Sequence, residues 1–192
     1  MDFLDTLMNI DEDILLYIQE NIRNASADKI MKAVTHLGDM GILWAIIIFT
    51  LLVSKKYKKT AFVMALTLSL GLLITNLILK NSVHRTRPFH AIEKLFPLIN
   101  KPKDWSFPSG HATSSIGCGI AMLRNLPKRY GISGFTIGLL IAVSRIYLGV
   151  HYTTDVVAGA LIGTFSAFTS EKIINKADNI ISEKRRQKKS PQ

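Results

Sequence analysis

Thr60–Leu79 reads TAFVMALTLSLGLLITNLIL, twenty residues without a charge. At a rise of about 1.5 Å per residue, a helix of that length spans about 30 Å, the thickness of a bilayer's hydrocarbon core. Four further uncharged runs surround it: Met40–Ser54, Tyr130–Ser144 and Val156–Ser170 with 15 residues each, and Trp105–Leu123 with 19. The last opens on Pro108, Ser109, Gly110 and His111, so its helix is expected to start near Gly110. A 15-residue run covers only about 22 Å, and taken singly it also fits a buried core helix. Five such runs in 192 residues, with almost no amphipathic helices to enclose them, favour a membrane instead. Charged residues at the helix ends then make up the shortfall by reaching the headgroups or lining a polar cavity. The expected fold class is all-α, an integral membrane helical bundle of five to six transmembrane helices.

Composition agrees. Hydrophobic residues make up 48%, charged residues 20%, and the mean hydropathy is +0.23. That balance excludes a disordered chain and suits a soluble globule poorly. A single cysteine, Cys118, excludes an intramolecular disulfide framework and any multi-cysteine metal site. It reads as a small packing residue among Gly117, Gly119 and Ala121. The net charge of +10 points to an anionic partner: nucleic acid, a membrane surface or a substrate. The basic clusters lie beside hydrophobic spans, which favours membrane lipids over nucleic acid.

The ends are less regular. Asp2, Asp5, Asp11, Glu12 and Asp13 come before any long apolar run, so no N-terminal signal peptide is expected. Asp11–Arg23 sets Ile14, Leu15, Ile18 and Ile22 on one helical face, as an interfacial amphipathic helix would. Asp28–Leu37, with Lys29 and Lys32, fits either the interface or a sixth membrane helix. Accordingly 1–38 is an N-terminal amphipathic region or first membrane helix, 39–175 the membrane domain, and 176–192 a basic tail.

Loop charges set an orientation. Lys55, Lys56, Lys58 and Lys59 separate the first two long runs, Arg124, Lys128 and Arg129 the third and fourth, and the tail holds Lys184–Lys189. With alternating segments these share one side, which the positive-inside rule makes cytoplasmic. Multi-pass insertion in the cell membrane with a cytoplasmic C-terminus follows. The opposite, non-cytoplasmic side then carries Lys80, Arg85, Arg87, Lys94, Lys101 and Lys103 in one loop. Six positive charges on the wrong side call for a local anion.

Three motifs share that side: Lys80-x6-Arg87-Pro88, Pro108-Ser109-Gly110-His111, and Ser144-Arg145-x5-His151-x3-Asp155. Lys80, Arg87 and Arg145 supply three cations, and arginine forks suit phosphoryl oxygens. Ser109, Gly110 and His111 stand at an expected helix N-terminus, where free N–H groups and the helix dipole favour an anion. His151 and Asp155, four residues apart, can share a helical face, so that the carboxylate accepts a hydrogen bond from Nδ1–H and leaves Nε2 free to attack phosphorus. His111 suits the general acid that protonates the leaving oxygen and later activates water. Singly, each motif also fits an ordinary helix end, turn or capped pair; their order and common side favour chemistry. His36, His84 and His90 read as interfacial or loop histidines, His84 least firmly because it lies between Lys80 and Arg87.

The ordered triple motif resembles the type 2 phosphatidic acid phosphatase superfamily, which also includes bacterial acid phosphatases and vanadium haloperoxidases. It covers roughly Lys80–Asp155, with every fixed position present, and the membrane branch shares the helix layout. The resemblance implies a membrane-embedded, metal-independent phosphatase without a cofactor. It makes His151 the nucleophile, Asp155 its partner and His111 the general acid, with Lys80, Arg87, Ser109, Gly110 and Arg145 holding phosphate. Among the family's lipid phosphates and diphosphates, an outward-facing site favours undecaprenyl diphosphate; phosphatidylglycerophosphate and phosphatidic acid are the alternatives. Arg85, outside the fixed positions, is expected to matter less than Arg87.

Two other classes compete. A metal-dependent hydrolase would use His111, His151 and Asp155 as ligands, but three neighbouring cations would repel the ion. A small transporter or lipid-binding scaffold would tolerate charges in membrane segments, yet no internal repeat is apparent and the histidine pair would go unused.

Overall fold

The computed structural model describes residues 3–189, and within them only helices and loops. The helices are α1 (Phe3–Tyr17), α2 (Ala25–Leu37), α3 (Ile42–Val53), α4 (Lys58–Leu72), α5 (Lys80–Val83), α6 (Pro88–Ala91), α7 (Gly110–Asn125), α8 (Lys128–Tyr147) and α9 (Thr153–Lys189). Wider π-type turns at Ile18–Ile22 prolong α1, and others at Leu73–Leu79 join α4 to α5.

The twenty-residue run that opened the sequence reading thus lies within one long helical stretch. Lys58–Ala91 and Lys128–Tyr147 are each long and apolar enough to cross a membrane. Ala25–Leu37 and Asp39–Val53 pass that test together, as a span bent by 42°. The bend is local: Met40 and Gly41 take left-handed backbone angles (φ 52° and 70°), which glycine adopts freely and methionine only under constraint. Because the bend is shallow, α2 and α3 run on in one direction. The charged Asp28–Leu37 segment therefore forms most of α2 and joins α3 through this bend.

Phe49, Val53, Leu77, Leu161 and Phe165 are all at least 60% exposed. Such an outward apolar band is untenable in water and expected against lipid. Inside, Trp44, Met64, Cys118, Met122 and Ile141 form the main buried cluster, and the Trp44 indole donates to Ser115 Oγ at 3.1 Å. Cys118 is indeed a buried packing residue.

Helix α7 lies at the centre because its small residues admit close neighbours. A Cβ on Gly163 of α9 would come within 2.4 Å of Thr113 O, and one on Gly138 of α8 within 2.4 Å of Ser115 O. The Gly159-x3-Gly163 spacing therefore lets α9 lie directly on α7, as small-residue pairs do in membranes.

One end of the bundle is basic. Lys59 pairs with Asp178 at 3.0 Å and Arg124 with Glu171 at 2.5 Å, which brings the start of α4 and the end of α7 each against the later part of α9. Asp155, in the first turn of α9, lies 23 residues before Asp178, roughly 35 Å along the helix. The three motifs are therefore at the opposite end. The N-terminal helix closes that end: Asp11 and Leu15 of α1 are buried there, while Met8, Ile10 and Tyr17 face outward. The expected common face of Ile14, Leu15, Ile18 and Ile22 is only partly realised, since Ile22 is exposed.

Candidate active site

At this end a cavity of about 940 Å³ is lined by Lys80, Arg87, Gly110, His111, Arg145 and His151. Each arrives by its own local route. Lys80 begins α5, where the long α4 stretch ends, and His84 turns the chain in a left-handed conformation (φ 50°) so that Arg87-Pro88 can start α6. Ser109 caps α7, its hydroxyl accepting from the Ala112 N–H at 3.4 Å, and leaves Gly110 and His111 in the first turn. Arg145 lies in the last turn of α8; His151 occupies the short loop before α9, and Asp155 the first turn of α9. All eight sequence-nominated residues gather here, six lining the cavity, with Ser109 and Asp155 buried just behind.

His151 is oriented from both sides. Its Nδ1 lies 3.4 Å from Asp155 Oδ2, and its Nε2 lies 3.2 Å from Arg87 Nη1. A guanidinium has only donors, so Nε2 must hold the lone pair and Nδ1 the proton. That is the tautomer a nitrogen nucleophile needs. Burial pushes the ring's pKa down most strongly; the Asp155 hydrogen bond opposes this, but Arg87 and Arg145 add to it, and the result is about 3. The ring is thus uncharged near neutrality.

Asp155 is held more firmly than the weak histidine contact suggests. Its Oδ2 accepts from Ser106 Oγ at 2.5 Å and the Tyr152 N–H at 3.0 Å, and Oδ1 accepts from Arg85 Nη1 at 2.7 Å. Arg85 also reaches Asp11 Oδ2 at 2.9 Å and lies 3.8 Å above the Tyr152 ring. Asp11 in turn accepts from the Thr154 N–H at 3.0 Å. Arg85 therefore links α1 to the Asp155 carboxylate. It contacts this site although it lies outside the fixed motif positions.

The phosphate-type cations are held as well. Asp104 receives Lys80 on Oδ2 and Arg87 Nη2 on Oδ1 (2.7 Å), while Arg87 Nε donates to the Asp104 carbonyl at 2.8 Å. Burial would raise the Asp104 pKa, yet the Lys80 hydrogen bond and the two positive charges hold it at about 2. Arg145 Nη1 donates to Thr35 Oγ1 at 2.6 Å, but its buried Nε has no partner among the described residues. That guanidinium retains donor capacity for an anion in the cavity.

Of the remaining histidines, two pack against aromatic rings. His84 packs edge-on against Trp105, and His90 lies against Phe89. His36 differs: it pairs with Asp39 at 2.7 Å, and both line the cavity. Sequence spacing missed Asp11, Asp39, Asp104 and Ser106, since none has a fixed offset from the motifs. Two had a faint signal. Asp39 lies between Gly38 and Gly41 beside an apolar run, and Asp104 shares its loop with six cations.

Comparison with known proteins agrees with the geometry. Residues 58–178 match the PAP2 superfamily. The chain is 30% identical to the undecaprenyl-diphosphatase of Sulfolobus acidocaldarius, over 68% of this chain and 63% of that relative, a little under two thirds of its length. It is 31% identical to phosphatidylglycerophosphatase B of Bacillus subtilis, over 77% of this chain and 75% of that one. The crystal structure of a transmembrane PAP2-type phosphatidylglycerolphosphate phosphatase from Bacillus subtilis superposes with a TM-score of 0.71 at 27% identity, covering 89% of this chain and 87% of that chain.

Proposed function

Because the chain belongs to the PAP2 superfamily, we propose that it is a membrane phosphatase that hydrolyses a lipid phosphate or diphosphate through a phosphohistidine on His151. Undecaprenyl diphosphate is the first candidate. The observation that carries this reading is the position of His151, which lines one cavity with Lys80, Arg87, Gly110, His111 and Arg145 and whose Nε2 accepts from Arg87.

The reaction runs in two balanced steps. The Nε2 lone pair of His151 attacks phosphorus, and the bond to the leaving oxygen breaks with its electron pair on that oxygen. His111 gives that oxygen a proton. Water then attacks the phosphohistidine as His111 takes its proton, and the phosphorus–nitrogen electron pair returns to the ring. Asp155 holds Nδ1–H throughout. Arg87 leaves Nε2 to meet the incoming phosphoryl oxygens, and Lys80, Arg145 and the α7 N-terminus share the charge spread over them.

The topology that goes with this chemistry has five crossings: the bent α2–α3 pair, α4 with its extension, α7, α8 and α9. Basic loops and the C-terminus lie on the cytoplasmic side, as the positive-inside rule directs, and the site opens on the other face, at headgroup depth. A lipid then presents its phosphate while its tails stay in the bilayer. A relative that is an undecaprenyl-diphosphatase and a site on the outer face support the polyprenyl substrate. Phosphatidylglycerophosphate is the second reading, supported by the phosphatidylglycerophosphatase relative and its likeness in structure.

The deciding experiment is phosphate release by detergent-purified protein from undecaprenyl diphosphate, phosphatidylglycerophosphate and phosphatidate, with EDTA present. Release that vanishes in His151→Ala supports the reading, and the fastest substrate names the class. Release lost to EDTA, or retained by His151→Ala, overturns the metal-free phosphohistidine route.

A further inference from the structure

The second half of the bent pair opens on a carboxylate that meets the second histidine. Asp39 Oδ1 lies 3.1 Å from His111 Nε2, and Asp39 Oδ2 lies 2.7 Å from His36 Nδ1. The bend is shaped for this contact. Gly38 passes so close to His111 that a Cβ there would come within 2.7 Å of its Cδ2 and 2.6 Å of Ile141 Cγ2. Met40 and Gly41, both left-handed, then turn the chain into α3. The consecutive residues Gly38, Asp39, Met40 and Gly41, together with His36 and His111, line the same cavity as His151.

Resting on the phosphatase reading above, we propose that Asp39 is the positioning residue of the general acid His111, so that the site contains two carboxylate–histidine pairs with opposite duties. An ionised carboxylate only accepts hydrogen bonds, so His111 Nε2 carries a proton in this contact. The ring is thereby fixed in one tautomer and one orientation, as Asp155 fixes His151. With Nε2–H committed to Asp39, the proton delivered to the leaving oxygen is the one on Nδ1 of the doubly protonated ring, and the Asp39 charge offsets that imidazolium. Delivery leaves a neutral ring whose Nδ1 lone pair takes a proton from the attacking water in the second step, so the proton count closes over one turnover. His36 secures the far oxygen of Asp39 and takes no part in the transfer.

The leaving-group dependence of kcat/KM tests this, because kcat/KM reports the phosphorylation step and not the shared water step, and there a lost general acid harms only substrates whose leaving oxygen needs a proton. Wild type and Asp39→Asn are compared on p-nitrophenyl phosphate, which departs as a stabilised phenolate, and on phosphatidate, which departs as an alkoxide. General acid catalysis contributes about 10²-fold or more. Asp39→Asn should therefore lose about that factor on phosphatidate and much less on p-nitrophenyl phosphate, and Asp39→Glu should recover part of the loss. Equal losses on both substrates, or no loss on phosphatidate, overturn the proposal. Nitrogen-15 NMR of labelled histidine provides a readout independent of turnover. In wild type His111 should show a protonated Nε2 that Asp39→Asn disturbs; an unprotonated Nε2 in wild type overturns the proposal whatever the rates. Absence of His151-dependent turnover on any lipid phosphate refutes the phosphatase reading itself, while the NMR result still decides whether Asp39 holds His111.

Discussion

Arg85 Nη1 donates to Asp155 Oδ1 at 2.7 Å, closer than the 3.4 Å between the other oxygen of that carboxylate and His151. The carboxylate that faces His151 is thus itself oriented by an arginine outside the three motifs. Arg85 is about one-fifth exposed and Asp155 fully buried, so the pair is shielded from the screening that weakens surface ion pairs.

Arg85→Ala should lower kcat by about ten- to hundredfold, roughly 1.4–2.8 kcal/mol of transition-state stabilisation. This places it beside Arg87→Ala, against the milder effect its sequence position suggested. Steady-state kinetics on the preferred lipid checks it. A KM near the wild-type value would mark a loss of nucleophile orientation, whereas Arg87→Ala should raise KM as well.

Asp11→Ala should loosen α1 from the site end. The change leaves Arg85 and the Thr154 N–H short of a buried acceptor, a loss of about 1–3 kcal/mol. Hydrogen exchange should rise in α1 and at Thr154 while α7 stays protected. Because Asp155 keeps its Arg85 and Ser106 contacts, the fall in kcat should be smaller than for Arg85→Ala.

His151 should stay neutral well below its ordinary pKa. Its value of about 3 in the folded chain lies under the usual 6.5, so the unfolded chain takes up a proton there that the folded chain does not. This group's contribution therefore makes stability rise with pH between about 3 and 6.5. Nitrogen-15 shifts should show an unprotonated His151 Nε2 at pH 5, and Arg87→Gln should move the titration upward by removing a nearby cation. A midpoint near 6.5 in wild type would contradict the geometry.

Gly159→Ala should cost stability and activity together. A Cβ at that position would meet Ser109 O at 2.5 Å and the Ala112 Cβ at 3.0 Å, so α9 must shift away from the turn that caps α7. Overpacking of this kind costs about 1–3 kcal/mol. A lower melting temperature in detergent, with kcat reduced and the fold retained by circular dichroism, is the expected outcome.

The sequence by itself determined the bilayer-length run Thr60–Leu79, the basic clusters that share one end, and the eight motif residues that share the other. These are local properties: apolar run length sets a crossing, and fixed offsets such as four residues between His151 and Asp155 set which side chains share a helical face. Only the tertiary structure decided that Asp28–Leu37 joins α3 through a 42° bend, where Gly38 packs on His111 and Ile141. It alone also decided the pairings around the site: Asp11 with Arg85 and Asp39 with His111, partners 74 and 72 residues apart. No periodicity encodes such a pairing. It exists because α1 and the bent span close over the site end, where a buried charge must find an opposite charge or hydrogen bonds.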